Sequence, residues 1–263
     1  MHFGLEGKTV LVLASGSGLG KAVAGEFLKE GADVVLAGRG VEKLERAAAD
    51  LRGATGITPR FQQCDITKAE ELHGLVRFAA QKHGSVDVLV NNAGGPPAGT
   101  FEMFDDGAWT GAFELTLLSY VRAIREVLPY MKQRGWGRIV NSTSSSVREA
   151  IENLILSNTF RLGVIGLTKS LAAEFAPYGI LVNAIGPGRF DTERIRSLDR
   201  SLAEKKGLSV EEVSRASLSR IPMGRYGDPE EYGRLAVFLG SEANTYITGQ
   251  TILADGGMTR AVP

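Results

Sequence analysis

The chain has 263 residues, with 30 basic against 30 acidic side chains, 43% apolar and 23% charged, the balance of a globular rather than a disordered protein. Zero net charge gives no case for nucleic acid or an anionic membrane as partner, a single cysteine (Cys64) excludes an internal disulfide, and His2, His73 and His83 are too scattered for a metal site. No apolar stretch reaches the roughly 18 residues of a membrane span, and residues 1–8 lack a signal-peptide core, so no membrane partner and a cytoplasmic location are expected.

Glycine is the outlier: 33 residues, about 12%, against a usual ~7%. Short β-branched runs recur at 9–13, 34–37, 86–90, 138–140 and 180–185, preceded by Gly7, Gly31, Gly84, Gly137 and Gly179. Segments 22–30, 41–51, 69–82, 109–133 and 153–175 between them carry helical spacing. A glycine closing each helix in the left-handed conformation lets the next strand follow at once. Such alternation, with nearly continuous apolar strands, predicts an α/β fold with a doubly wound parallel sheet and helices on both faces. Capping boxes are expected at Thr67–Glu70 and Ser209–Glu212, and Asp228-Pro229 with Glu231 reads as another helix start. No linker divides the chain, so residues 1–263 are read as one domain with a helical excursion at about 189–225. The segments around 109–133 and 151–175 are apolar on more than one face, which predicts burial by the sheet on one side and by a second subunit on the other.

After the first strand comes Ala14-Ser15-Gly16-Ser17-Gly18-Leu19-Gly20, running straight into a helix. Glycines let backbone approach a pyrophosphate, and the helix N-terminus offers free N–H groups and a positive dipole end. The second strand ends Ala37-Gly38-Arg39, with no acidic residue at 37–40 to hold a ribose 2′-hydroxyl. Arg39 suits a 2′-phosphate, so NADP(H) is preferred over NAD(H); the alternative is that Arg39 is a solvated loop residue.

Along almost its whole length the chain resembles the short-chain dehydrogenase/reductase family, especially its acyl-carrier-protein reductase-like branch. The residues that carry the resemblance are Asn91-Asn92-Ala93-Gly94, Cys64-Asp65-Ile66, Asn183 to Gly188 with Thr192, and the tail from Ile221 through Glu231, Gly249 and Asp255-Gly256-Gly257. The resemblance implies a Rossmann-type sheet of about seven strands and a small-molecule carbonyl or alcohol substrate. It also implies a homo-oligomer, a tetramer in the family's pattern. The cofactor would then lie along Ser15, Ser17, Gly18, Leu19, Gly20, Arg39, Asp65, Ile66, Asn92, Ala93, Gly94, Pro187, Gly188, Phe190 and Thr192.

The catalytic pattern breaks. The family uses a tyrosine acid, a lysine four residues on, a serine that orients the carbonyl, and a helix asparagine. Ser144 holds the serine position, but Ser157 stands for the tyrosine, Arg161 for the lysine and Thr116 for the asparagine. Leu13-Ala14 replaces the usual Thr-Gly, which a methyl tolerates if φ at Ala14 stays negative. Losing a general acid costs typically ~10²–10⁴ in rate, whereas positioning alone supplies about 7–11 kcal/mol. Two readings follow: an NADP(H)-dependent oxidoreductase in which Ser144 and Ser157 hold the carbonyl oxygen, Arg161 stabilises the developing alkoxide and a water delivers the proton, or a catalytically silent NADP(H)-binding sensor or scaffold. Arg148, Arg189 and Arg194 are candidates for binding an acidic group on the substrate.

Overall fold

Strands buried on both faces sort alternate side chains into two cores, and the sheet shows this directly. A computed structural model describes residues 2–261; Met1, Val262 and Pro263, at the ends of the span expected to form one domain, lie outside it. Seven parallel strands are present: β1 (Thr9–Val12), β2 (Asp33–Gly38), β3 (Arg60–Gln63), β4 (Val88–Asn91), β5 (Gly137–Ser142), β6 (Ile180–Pro187) and β7 (Thr251–Ala254). The helices are α1 (Gly18–Lys29), α2 (Val41–Thr55), α3 (Ala69–Ala80), α4 (Asp106–Phe113), α5 (Ser119–Arg134), α6 (Ile155–Phe175), α7 (Glu193–Lys206), α8 (Val210–Leu218) and α9 (Pro229–Leu239). Val10, Val12, Val34 and Leu36 join Phe27, Leu44 and Ala236 of α1, α2 and α9 in one core. Their neighbours Leu11, Val35 and Leu89 join Leu75, Val127 and Val164 of α3, α5 and α6 in the other. Truncating any of these leucines to alanine costs about 2–5 kcal/mol, because packed neighbours refill the cavity poorly.

The doubly wound sheet expected from the alternation is the fold observed. Strand order is β3-β2-β1-β4-β5-β6-β7, so the direction of winding reverses between β1 and β4. At that reversal the connections leave on opposite faces and open a crevice at the carboxyl ends of the strands. Among the described residues, no helix is long and apolar enough to cross a membrane.

Several local expectations are corrected. The helix expected over 109–133 is interrupted: α4 widens into a π-helical turn, Glu114–Leu118, before α5 begins. Thr116 and Ser119 donate their hydroxyls to the carbonyls four residues back, at 2.6 and 2.7 Å, contacts that compete with the regular ladder and open the turn. No capping box forms at Thr67. Its N–H and hydroxyl both donate to Asp65 Oδ1, at 3.0 and 2.8 Å, and α3 begins two residues on. The glycine closing α5 is Gly135 (φ 64°). Gly137 instead lies within β5, where a Cβ would stand 2.6 Å from Met131 Sδ. The box at Ser209 forms, with Glu212 N–H donating to its hydroxyl at 3.1 Å and Glu212 accepting from Ser209 N–H at 2.8 Å.

Candidate active site

The turn after β1 is a strained strand-to-helix corner. Ala14 has φ 47°, not the negative value a methyl tolerates, and an L-residue in this left-handed region costs about 1–2 kcal/mol. Neighbours hold it there. Asn92 Nδ2 donates to the Leu13 and Ala14 carbonyls at 3.3 and 3.2 Å, and Ser15 N–H donates to Ala37 O at 2.9 Å. Gly20 must lack a side chain, since a Cβ there would lie 2.5 Å from Ala14 O. Ser17 caps α1 with extended backbone, an exposed side chain and no side-chain bond to the helix. The first-turn N–H groups of α1 are therefore open to an anion.

Two of the proposed cofactor residues on this turn have other duties. The Ser15 hydroxyl is buried, donating to Val12 O at 2.8 Å and accepting from Ala37 N–H at 3.0 Å, so it is not available to a ligand. Leu19 packs against the core beneath α1. At the ends of β2 and β3, Arg39 is exposed and its carbonyl accepts from Gln63 Nε2 at 2.9 Å. Burial pushes the Asp65 carboxyl up, but hydrogen bonds from Thr67 and the charge of Arg39 outweigh it and hold it below its ordinary value. Ile66 beside it is buried.

Beyond the reversal, the two asparagines that end β4 part company. Asn91 is fully buried and donates to Asn141 at 2.8 Å, which in turn donates to Thr168 at 2.9 Å, tying β4 to β5 and α6. Asn92 latches the first turn, so its amide N–H supports the cofactor seat rather than lining it. Ala93 is buried, Gly94 is exposed, and the space where a Gly94 Cβ would stand is empty to 4 Å.

The three candidate catalytic residues lie at the end of β5 and the start of α6. Ser144 is half-buried and its hydroxyl accepts from Ser146 N–H at 3.1 Å. Ser157 is 7% exposed, and among the described residues its hydroxyl has no hydrogen-bond partner. Arg161, 6% exposed, does not reach toward open space: Nη1 donates to Ser142 O at 3.1 Å and Nη2 to Ala93 O at 3.4 Å. The guanidinium is thus a charge held by two backbone carbonyls beside the two serines.

Two tyrosines stand beside that charge, and the sequence gives no local sign of their place there. Tyr120 donates to Ser142 O at 2.9 Å and Tyr232 to Ser142 Oγ at 2.8 Å. Burial raises both phenols above their ordinary value, against the pull of Arg161. Both hydroxyl protons are engaged at Ser142. Tyr232 reaches the site from α9, 90 residues along the chain from its partner, a separation that leaves no local signal.

The segment after β6 closes over the crevice. Gly188 passes so near Asp255 that a Cβ would meet Asp255 Cβ at 2.6 Å, with Pro187 half-buried before it. Phe190 turns inward onto Tyr232, edge to face at 5.6 Å, so its ring does not line the cofactor seat. Thr192 caps α7 by accepting from Ile195 N–H at 3.4 Å, and its methyl lies 3.8 Å from where a Gly18 Cβ would stand. Arg189, a candidate for an acidic substrate group, is already held by Asp199 at 2.7 Å.

The site thus has a phosphate-type turn, a closing segment and a polar pair at the strand ends. A family profile described as "Enoyl-(Acyl carrier protein) reductase" matches residues 13–259, and a D-beta-hydroxybutyrate dehydrogenase from Cupriavidus necator is 36% identical over 256 residues, covering 96% of this chain and 98% of that one. The chain belongs to the short-chain dehydrogenase/reductase family. It is therefore an oxidoreductase. A 3-oxoacyl-acyl-carrier-protein reductase from Thermotoga maritima is 34% identical, with 97% and 98% coverage. Among solved members of the short-chain family, the L-sorbose reductase of Gluconobacter frateurii, complexed with NADPH and L-sorbose, superposes with a TM-score of 0.94 at 31% identity over 100% of both chains. An actinorhodin polyketide ketoreductase variant with NADPH gives 0.92 at 32% identity, over 97% and 98% of the two chains.

Proposed function

We propose that this short-chain dehydrogenase/reductase interconverts a carbonyl and an alcohol on a small molecule with NADP(H), using a polar pair and a fixed charge in place of the family's tyrosine and lysine. The observation that carries the reading is the seat: open N–H groups at α1, a turn into which a Gly20 side chain would intrude, and exposed Arg39 with no acidic residue at 37–40. Those residues fit the group. Ser17, Gly18 and Gly20 would take the pyrophosphate, Arg39 a 2′-phosphate, Asp65 and Ile66 the adenine end, and Ala93, Gly94, Pro187, Gly188 and Thr192 the nicotinamide half. The NADPH-bound relatives support the same choice. When bound, the cofactor supplies or accepts a hydride.

The chain's own residues do the rest. Ser144 and Ser157 donate hydrogen bonds to the carbonyl oxygen, which orients and polarises it. The charge of Arg161, held by the Ser142 and Ala93 carbonyls, favours negative charge developing in front of it. Water delivers the proton that tyrosine would have given. The absent acid costs typically ~10²–10⁴ in rate, leaving a slow enzyme.

NADPH consumption over a carbonyl panel tests this, with NADPH binding followed in parallel by fluorescence. Wild type should turn over slowly, and Ser157→Tyr with Arg161→Lys should raise kcat/KM by about 10²–10⁴. Tight NADPH binding with no wild-type turnover, but activity in the double variant, would make the chain a silent binder and overturn the mechanism.

We extend the reading to assembly. Phe113 and Leu162 stay exposed on α4 and α6, beside an aromatic cluster of Phe101, Trp109 and Phe160. That face suits a second copy, in a homo-oligomer that light scattering would weigh.

A further inference from the structure

Four arginines stand between residues 189 and 200, and three of them are held by carboxylates. Arg189 pairs with Asp199 at 2.7 Å, Arg196 with Asp191 at 2.9 Å, and Arg200 with Glu193. Arg194 is exposed, and among the described residues it forms neither an ion pair nor a hydrogen bond. It sits in the first turn of α7, where the positive end of the helix dipole disfavours a cation. Its guanidinium nevertheless lies against the backbone of Gly95, where a Cβ would be 3.3 Å from Nη2. Of the four arginines, Arg194 alone has no carboxylate against it among the described residues, and its exposed guanidinium is open to an anion from outside the chain.

Its position says which partner. The closing segment touches the phosphate turn through Thr192, which faces Gly18. Arg194 faces Gly95 instead, two residues beyond the Ala93 carbonyl that accepts from Arg161. The guanidinium therefore stands over the reacting side of the crevice rather than over the pyrophosphate seat.

We infer that the substrate carries an anionic group, a carboxylate or a phosphate, that Arg194 holds at the mouth of the site. The inference rests on the reading of this site as one for carbonyl and alcohol substrates. It narrows that class to oxo acids or phosphorylated ketones and their alcohols. The fork of a guanidinium matches either oxyanion with two parallel N–H donors.

Calorimetric titration of the NADPH-loaded protein tests it with three matched pairs: acetoacetate and its methyl ester, pyruvate and its methyl ester, and dihydroxyacetone phosphate and dihydroxyacetone. At least one anion should bind about 10- to 100-fold more tightly than its neutral counterpart, and the pair that does so tells carboxylate from phosphate. Arg194→Gln should abolish that difference, Arg194→Lys should keep part of it, and Arg196→Gln should leave it unchanged. The affinity for NADPH should stay the same in all three variants. Equal binding of anion and neutral counterpart in every pair overturns the inference. So does a loss of NADPH affinity in Arg194→Gln as large as the loss for the anion, which would give Arg194 to the cofactor. Anion-selective binding without turnover of any pair sinks the proposed reaction and leaves the anion site standing.

Discussion

The two ends of the crevice are built from different materials. On the β1–β2 side the seat is backbone: a turn with Ala14 in a left-handed conformation, the open N–H groups of α1, and glycines whose missing side chains make room. On the β5–α6 side the site is side chain: Ser144, Ser157, and Arg161 ringed by Tyr120 and Tyr232. Backbone architecture tolerates few replacements, because a Cβ at Gly20 would strike Ala14 O at 2.5 Å. Side-chain chemistry can be exchanged while the fold stays, since Arg161 has simply found two backbone carbonyls to bond.

That contrast can be broken at its cofactor end. Arg39→Asp should reverse the preference from NADPH to NADH by about 10- to 100-fold, since a charge-assisted pair is lost and a repulsion gained; fluorescence titration with both nucleotides reads it. NADH binding more tightly than NADPH to wild type would remove the reason for placing a phosphate at Arg39.

At the chemical end, Arg161→Met should separate activity from stability. A buried cation with no carboxylate partner is costly, and apolar replacements of similar volume are often neutral or stabilising. Turnover should fall about tenfold as the fixed charge is lost, while the free energy of unfolding holds or rises by up to about 2 kcal/mol. A large loss of stability would mean that the bonds to Ser142 and Ala93 outweigh the desolvation of the charge.

Ala14→Gly sharpens the backbone half. Removing the methyl at φ 47° should stabilise the protein by about 1 kcal/mol, less the entropy glycine recovers on unfolding. Urea unfolding measures this, and no change would mean that the corner carries no strain.

The smallest effect lies away from both halves, at the start of α9. The Arg225 guanidinium, with the Asp228 N–H, brings the Glu231 carboxyl down to about 2 from 4.5. A depressed carboxylate contributes stability that is fully present above its unfolded value and is lost as pH falls through the folded one. Glu231→Gln should therefore narrow the stability gap to wild type between pH 4.5 and 2, with a constant offset above that range. A gap that widens on acidification would contradict the pairing.

Much of the fold was legible in the chain because its signals are local. Runs such as Thr9–Val12 are apolar on both faces, and glycines mark where helices stop. The edge strands β3 and β7 were not legible. Arg60-Phe-Gln-Gln is mostly polar, so pairing with β2 rather than composition makes β3 a strand, and β7 is only four residues long and half-buried. The break in the helix over 109–133 was also hidden, since Thr116 and Ser119 act through hydroxyl contacts that periodicity does not register.

By itself the sequence determined the α/β class and the glycine-rich turn after the first strand, and it singled out Ser157 and Arg161 as candidates. Each of these depends on residue identity at short spacing, where chain geometry leaves few outcomes. Only the tertiary structure decided what those residues do. It turned Ser15 and Phe190 inward, set Ala14 in a strained conformation, and bound Arg161 to one carbonyl at the end of β5 and one in the loop after β4. It also paired three arginines of the closing segment and, among the described residues, left Arg194 without a carboxylate over Gly95. Partners this far apart in the chain meet only when the sheet and its helices pack, and a polar group's role is set by the partner it meets.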